Sequence, residues 1–339
     1  MNGRAVRWLW SLVRPSRNGG DREPRLTIVR HHRVYLDGQR PLYRLGVSES
    51  VLRQQVALLR SLGLGPLSVT EGLERLEAGR PGHWVAMTFD DGYADNVERA
   101  LPILTAAGGS ATFYLTAGLM EARRAPWWDR VAHALEHAQR RDLDWRCEGH
   151  AVRESLHDPA GRRRALAGVL RHLRVGPAEQ HQRIASLRAA LLVESEAPCE
   201  LATWDQARAL VENRMELGAH TLTHPFLDRL DKAEQWREIG ASVGLIEAHL
   251  GVRVEGLAYP GGAFNADSVE AANGCGLRHA VTTVAGDNAK DSPRFELKRR
   301  GFDEGMCLGP DGRFSRRLAR AELEGAFDAL RRARQEAVA

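Results

Sequence analysis

Short apolar, partly β-branched runs alternate with stretches of helical periodicity along most of this chain, and that alternation restricts its fold more than any other feature. Residues 26–29, 85–89, 111–115, 215–219, 254–259, 279–284 and 295–301 read as strands. Between them lie amphipathic segments: one carrying Val51, Leu52, Val56, Leu58 and Leu59, one over 70–77, and one opened by Asp95 as N-cap. Others cover 203–214, where Thr203 and Gln206 suit a capping box, then 231–250 and 266–273. Strands separated by helices pair in parallel through right-handed crossovers. Seven of them make a barrel or a large doubly wound sheet, and in both, ligands gather at the C-terminal ends of the strands.

Residues 121–199 break the rhythm. They are rich in Arg, Ala, Leu and His with little strand signal, and read as a helical insertion within one α/β unit, not as a separate domain. With 339 residues, 43% of them hydrophobic, the chain can bury a sizeable core. The net charge is only +4, and the arginines are scattered among acids without aromatic interleaving, which argues against nucleic acid as a partner. Cys147, Cys199, Cys275 and Cys307 are widely spaced and read as free thiols in a reducing compartment. Residues 1–24 form an N-terminal extension. Its apolar core from Trp8 to Val13, flanked by Arg7 and Arg14, is too short for a membrane span or a signal peptide. It can lie in a membrane interface, so peripheral membrane contact is one expectation and an ordinary frayed terminus the other. Residues 311–339 read as a C-terminal helical segment.

Three polar clusters follow strands. The first, Asp90-Asp91-Gly92, places two carboxylates where a buried strand ends; a solvated turn has the same composition. The second is His220-Thr221-Leu222-Thr223-His224-Pro225. Histidines at i and i+4 project to one side of a helical turn, close enough to share a metal, although such pairs also occur on exposed helices. Both clusters sit at equivalent ends of one sheet and so converge. Two imidazoles and a carboxylate then form an open metal site. The third cluster, Tyr259-Pro260-Gly261-Gly262, is either a plain turn or a loop whose N–H groups face an oxyanion.

Thr88-Phe89-Asp90-Asp91-Gly92, His220-Thr221-Leu222-Thr223-His224-Pro225 and Tyr259-Pro260-Gly261, in this order, resemble the polysaccharide deacetylase family. His31-His32-Arg33-Val34 is similar to a segment that precedes the domain in one branch of it. The resemblance spans about 25–310 and implies a distorted (β/α)7-type barrel interrupted by the insertion at 121–199. It also implies one divalent metal, zinc before cobalt or nickel, and a carbohydrate substrate. Asp90 would be the general base, with Asp91, His220 and His224 as metal ligands. Tyr259, Pro260 and Gly261 would line the oxyanion and substrate loop. Two departures stand out. Ala258 occupies the place of an arginine that orients the base, and the late histidine serving as general acid is missing from Leu297-Lys298-Arg299-Arg300. His32 is the replacement acid expected here, with a structural role for it or His31 as the alternative. Arg299 can substitute electrostatically for the missing arginine but cannot act as an acid. Trp127-Trp128-Asp129 either faces a sugar ring or anchors the insertion, and Gly286-Asp287-Asn288 is a candidate lining segment.

The expected activity is metal-dependent removal of N-acetyl groups from an amino-sugar polysaccharide, oligosaccharide or lipid-linked precursor. Alternatives are an amidohydrolase acting on a non-sugar amide and an inactive glycan-binding barrel. The expected location is the cytoplasm or the inner face of the membrane.

Overall fold

A computed structural model describes residues 23–79 and 81–328. The apolar N-terminal stretch read as a membrane-interface segment lies outside these residues, as does the C-terminal segment beyond Asp328; the described part of that segment is helical over Arg316–Leu323 and then turns, so it is not one continuous helix.

Strand β1 (Arg25–His31) is followed by two short strands, β2 (Arg33–Tyr35) and β3 (Gly46–Ser48), which pair with each other. The main sheet continues with β4 (His83–Phe89) and β5 (Thr112–Leu115). The insertion holds a two-stranded hairpin, β6 (Asp142–Cys147) and β7 (His150–Ser155). Then come β8 (Glu216–Ala219), β9 (Gly256–Ala258), β10 (His279–Val281) and β11 (Arg299–Gly301). Seven parallel strands run in the order β10-β9-β8-β5-β4-β1-β11. The edges meet where Val281 bridges Leu297, just ahead of β11, so the sheet closes into a nearly complete barrel.

Alternation along each strand sorts side chains to the two faces. Leu26, Ile28, Ala86, Tyr114, Ala258, Val281 and Leu297 fill the barrel interior. Val29, Val85, Met87, Phe89, Phe113, Leu217 and Leu257 point outward and pack under the helices. Seven strands leave a narrow lumen. A Cβ at Gly218 would lie 2.4 Å from the Tyr114 ring, so glycine there makes room for the tyrosine.

The outer helices form where the sequence signals them. Thr203 and Gln206 close a capping box on helix Trp204–Glu212, as expected. Asp231 and Glu234 do the same for the long helix Lys232–Leu250. Asp95 departs from its expected capping role. The chain after it begins with a π-helical turn, Asn96–Ala100, and Asp95 is instead buried, accepting from the Val34 N–H at 3.0 Å and Arg33 Nε at 2.8 Å. Tertiary donors outcompete the local backbone for this carboxylate.

The insertion is more than helical. Helices Trp127–Glu136, Pro159–Arg171 and Pro177–Leu191 surround the hairpin, and all four pack around a second core that includes Leu135, Trp145, Val152, Val169 and Leu187. Glu148 and Gly149 turn the hairpin with φ of 46° and 81°, the pair of positive values a tight two-residue turn requires. No helix among the described residues is long and apolar enough to cross a membrane.

Candidate metal and catalytic site

The first polar cluster lies at the mouth of the barrel. Asp90 continues the inward-facing row of Ala86 and Thr88, and its N–H donates to the carbonyl of His31. At Asp91 the chain turns with φ 77°, which swings the second carboxylate toward the same cavity. Both acids are 2% exposed.

After β8 the histidine segment forms a loop and not the expected helical turn. Thr221 and His224 take φ of 63° and 60°. Asp91, Thr221 and His224 are three of the seven non-glycine residues with positive φ among the described residues, a concentration of backbone strain that marks functional sites. The loop is braced from helix Lys232–Leu250. Glu238 accepts from the N–H groups of Leu222 and Thr223 and from the Thr223 hydroxyl, and Ser242 donates to the Thr221 carbonyl.

These loops aim His220 Nε2 and His224 Nε2 at Asp91 Oδ1, 3.5 and 3.7 Å away. One donor atom from each residue lies within 4.8 Å of the others. Ligands of one tetrahedral ion, each about 2.0–2.1 Å from it, stand roughly 3.4 Å apart, so the cluster has the dimensions of a metal site. His220 Nδ1 donates to the Ala258 carbonyl at 2.7 Å, which leaves its Nε2 lone pair facing the cavity. Burial, then His220 alongside, pushes the His224 imidazole down to about 3, keeping it neutral as a ligand must be. Burial opposes ionisation of Asp91, but the surrounding imidazoles prevail and hold it below its ordinary value. The residues present fit a divalent ion.

Asp90 has a different partner. Arg299, reaching inward from β11, grips its two oxygens at 2.6 and 2.8 Å and also meets Thr88 Oγ1 and the Thr282 carbonyl. Burial alone would raise this carboxyl; the Arg299 guanidinium outweighs it and holds Asp90 well below the usual carboxylate range. The arginine missing at Ala258 is thus replaced from another strand. His32 Nε2 stands 4.0 Å from Asp90 Oδ2, and burial pushes its pKa down. His31 points outward, fully buried, bonded to Gln55 and stacked on Phe89. Of the histidine pair, only His32 is at the mouth.

The third cluster contributes less than its composition suggests. Tyr259 turns away into the outer core, its hydroxyl on the Phe295 carbonyl and its N–H on Val281. Pro260 has no N–H, and those of Gly262 and Ala263 are bonded within the turn. Gly261 lies against Phe226, with the left-handed φ of 59° that favours glycine. Asp287 is spent on Arg300 and Thr27, so Gly286-Asp287-Asn288 does not line the mouth. Trp128 anchors the insertion: its Nε1 donates to the Tyr93 hydroxyl, which donates to Asp129, and its ring meets His224 at 4.2 Å between centroids. Burial pushes Asp129 up to about 7 against the pull of Arg33. Trp127, half-buried, packs on Phe226. The sequence reading missed Glu238, Ser242 and Tyr93.

A parallel barrel with a buried two-histidine, one-carboxylate cluster and a separate arginine-clamped acid at its strand ends is built as a hydrolase. The sequence profile of the family described as polysaccharide deacetylase matches residues 78–280. The chain belongs to that family, whose members are hydrolases acting on carbon–nitrogen bonds other than peptide bonds. YxkH of Bacillus subtilis strain 168, named as a polysaccharide deacetylase, is 26% identical over 104 residues, which are 31% of this chain but only 37% of YxkH. Among solved structures, the Streptococcus pyogenes deacetylase PplD in complex with acetate is similar with a TM-score of 0.57 at 19% identity, over 86% of this chain and 96% of that one. IcaB from Ammonifex degensii gives 0.54 at 18%, over 88% and 97%. These likenesses establish the shared fold.

Proposed function

We propose that this chain is a metal-dependent deacetylase that hydrolyses the acetamide of an N-acetylated amino sugar, in a polysaccharide, an oligosaccharide or a lipid-linked precursor. The observation that carries the reading is the division of labour between adjacent acids. Asp91 belongs to a three-donor cluster with His220 and His224, while Asp90 is excluded from that cluster and clamped by Arg299. Asp91, His220 and His224 would hold a divalent ion, which when bound would supply a Lewis acid for the acetamide carbonyl and would acidify the attacking water.

The remaining work falls to the chain. Asp90, ionised throughout the neutral range and fixed by the Arg299 fork, takes the proton from water as it attacks the carbonyl carbon. The Gly261 N–H steadies the oxyanion. The C–N bond then breaks, and the leaving nitrogen needs a proton. His32 is neutral in the resting state because burial depresses its pKa, so the proton it delivers is the one Asp90 collected, passed across the 4.0 Å gap. The products are acetate and a free amine. The place of action proposed with this reading is the cytoplasm or the inner face of the membrane.

The test is acetate release from N-acetylated amino-sugar oligomers and lipid-linked amino sugars with zinc, cobalt or nickel added, alongside metal analysis. Wild type should hold about one divalent ion per chain. His220→Ala should lose both ion and acetate release. Equal metal content and equal rate in the two proteins would remove the site from the reaction.

A further inference from the structure

Arg30 is a charged group at the mouth to which the proposed chemistry gives no task. Register places it opposite Thr88 of β4 and Gly301 of β11, on the inward face with Leu26 and Ile28. A side chain on that face reaches solvent only through the open end of the barrel, and Arg30 is half-buried, so its guanidinium lies in the mouth. It feels Arg299, Asp90, Asp303 and Asp91. Among the described residues, none makes a hydrogen bond or ion pair with its guanidinium, and the Nε is buried with no partner. Asp90 is already saturated by Arg299, and Asp91 faces the imidazoles.

The buried arginines among the described residues are all matched to acids: Arg299 to Asp90, Arg300 to Asp287 and Asp328, Arg183 to Glu148 and Glu179. A guanidinium withdrawn from water without a counter-charge is costly. A barrel that pairs its arginines elsewhere and leaves one open in the ligand cavity has reserved it for an oxyanion. The planar fork suits a carboxylate or a phosphate, which accept two parallel N–H bonds, whereas neutral hydroxyls cannot balance its charge.

We propose that Arg30 binds an anionic substituent of the glycan, carboxylate or phosphate, so that the preferred substrate is an acidic N-acetylated glycan. This rests on the reading that a glycan occupies the mouth. The experiment is calorimetric titration of the full chain, stripped by chelator so that turnover cannot interfere. The probes are a neutral N-acetylglucosamine tetramer, a tetramer alternating N-acetylglucosamine with glucuronate, a phosphate-bearing N-acetylglucosamine oligomer, and acetate alone. Wild type should prefer one acidic oligomer over the neutral one by about tenfold to a hundredfold, and which one identifies the anion. Arg30→Met should erase that ratio. Arg30→Lys should keep part of it, and an unchanged capacity for added zinc shows that both variants are folded. No preference in wild type or a preference retained in Arg30→Met would overturn the proposal, whereas weaker binding of acetate alone in Arg30→Met would support it. Acetate release from the neutral tetramer without acid preference would overturn it while sparing the deacetylase reading. Acid-selective binding lost in Arg30→Met, with no acetate release from any oligomer, would do the reverse.

Discussion

The two ends of the barrel both bury ionisable groups, and they treat them in opposite ways. At the floor, Glu216 accepts from the Thr70 N–H, the Thr70 hydroxyl and the Thr112 hydroxyl, all at 2.9–3.0 Å. The carboxylate is closed off by hydrogen bonds; His279, 3.7 Å away, stays too far to join them. At the mouth, Asp91, His220 and His224 point at one another without closing, on loops held at positive φ. At the floor the carboxylate has spent its acceptors on the fold, with the buried Nε2 of His279 left unpaired beside it; the mouth keeps a convergent set of three donors available, at a cost of roughly 1–3 kcal/mol for each strained residue. Chemistry belongs to the end whose groups converge at the strand C-termini without closing on one another.

The sharpest way to break this contrast is Asp90→Asn. Asparagine keeps the volume and one acceptor for Arg299 but cannot take a proton, so kcat should fall roughly 10²- to 10⁴-fold with metal content unchanged. An unaltered kcat would strip Asp90 of its role. Next in size is Arg299→Met, which leaves Asp90 buried without its counter-charge. Unfolding should become easier by about 3–5 kcal/mol in urea titrations. In the wild type Asp90 is depressed, so the pair stabilises above the unfolded carboxylate value and loses its effect as pH falls through the folded one. In the variant burial loses its main opponent and Asp90 rises, so the acidic limb of the pH–rate profile should move to higher pH. A limb that stays put would show that Arg299 does not govern this acid.

How much of this could be read beforehand differs between the same two ends. Asp90, Asp91, His220 and His224 were legible because residue type and a strand end together restrict what they can do. The seven strands and the capped helices were legible from local periodicity. Arg299 was visible as a charge in the right strand, but its grip on Asp90 spans 209 residues and depends on barrel closure, which no local pattern encodes. Glu238 and Ser242 look like ordinary helix residues until the histidine loop is laid over them. The hairpin was missed because charged residues fill its outward face; the signal was the alternation of Leu143, Trp145 and Val152 around Glu148-Gly149. Asp95 was misread because a carboxylate before a helix usually caps it, and only the fold brings Arg33 and Val34 within reach.

A further test concerns His31, which abuts the mouth yet belongs with the floor in character. Burial pushes its imidazole down to about 4 despite the Gln55 hydrogen bond. The unfolded chain therefore binds a proton near pH 6.5 that the folded chain refuses. Stability should be full above that value and fall on the order of 3 kcal/mol as pH drops to about 4. His31→Phe should flatten that slope in denaturant titrations across this window. An equally steep fall in the variant would assign the loss to other groups.

The smallest effect tests the closed end. Glu216→Gln replaces two charged acceptor oxygens by one neutral carbonyl and turns an amide toward the Thr70 hydroxyl, which must switch from donor to acceptor, while the Thr70 N–H and Thr112 hydroxyl lose a charged acceptor. The cost should be about 1–3 kcal/mol, read as a lower urea midpoint. Because the residue begins β8 and the histidine loop leaves its far end, the strand between them must transmit any disturbance. Leu217 and Ala219, buried in the outer core, hold that strand in register. Metal content, KM and kcat should therefore match the wild type. A loss of metal in Glu216→Gln would mean that floor and mouth are one mechanical unit, and the separation of stability from chemistry along this barrel would fail.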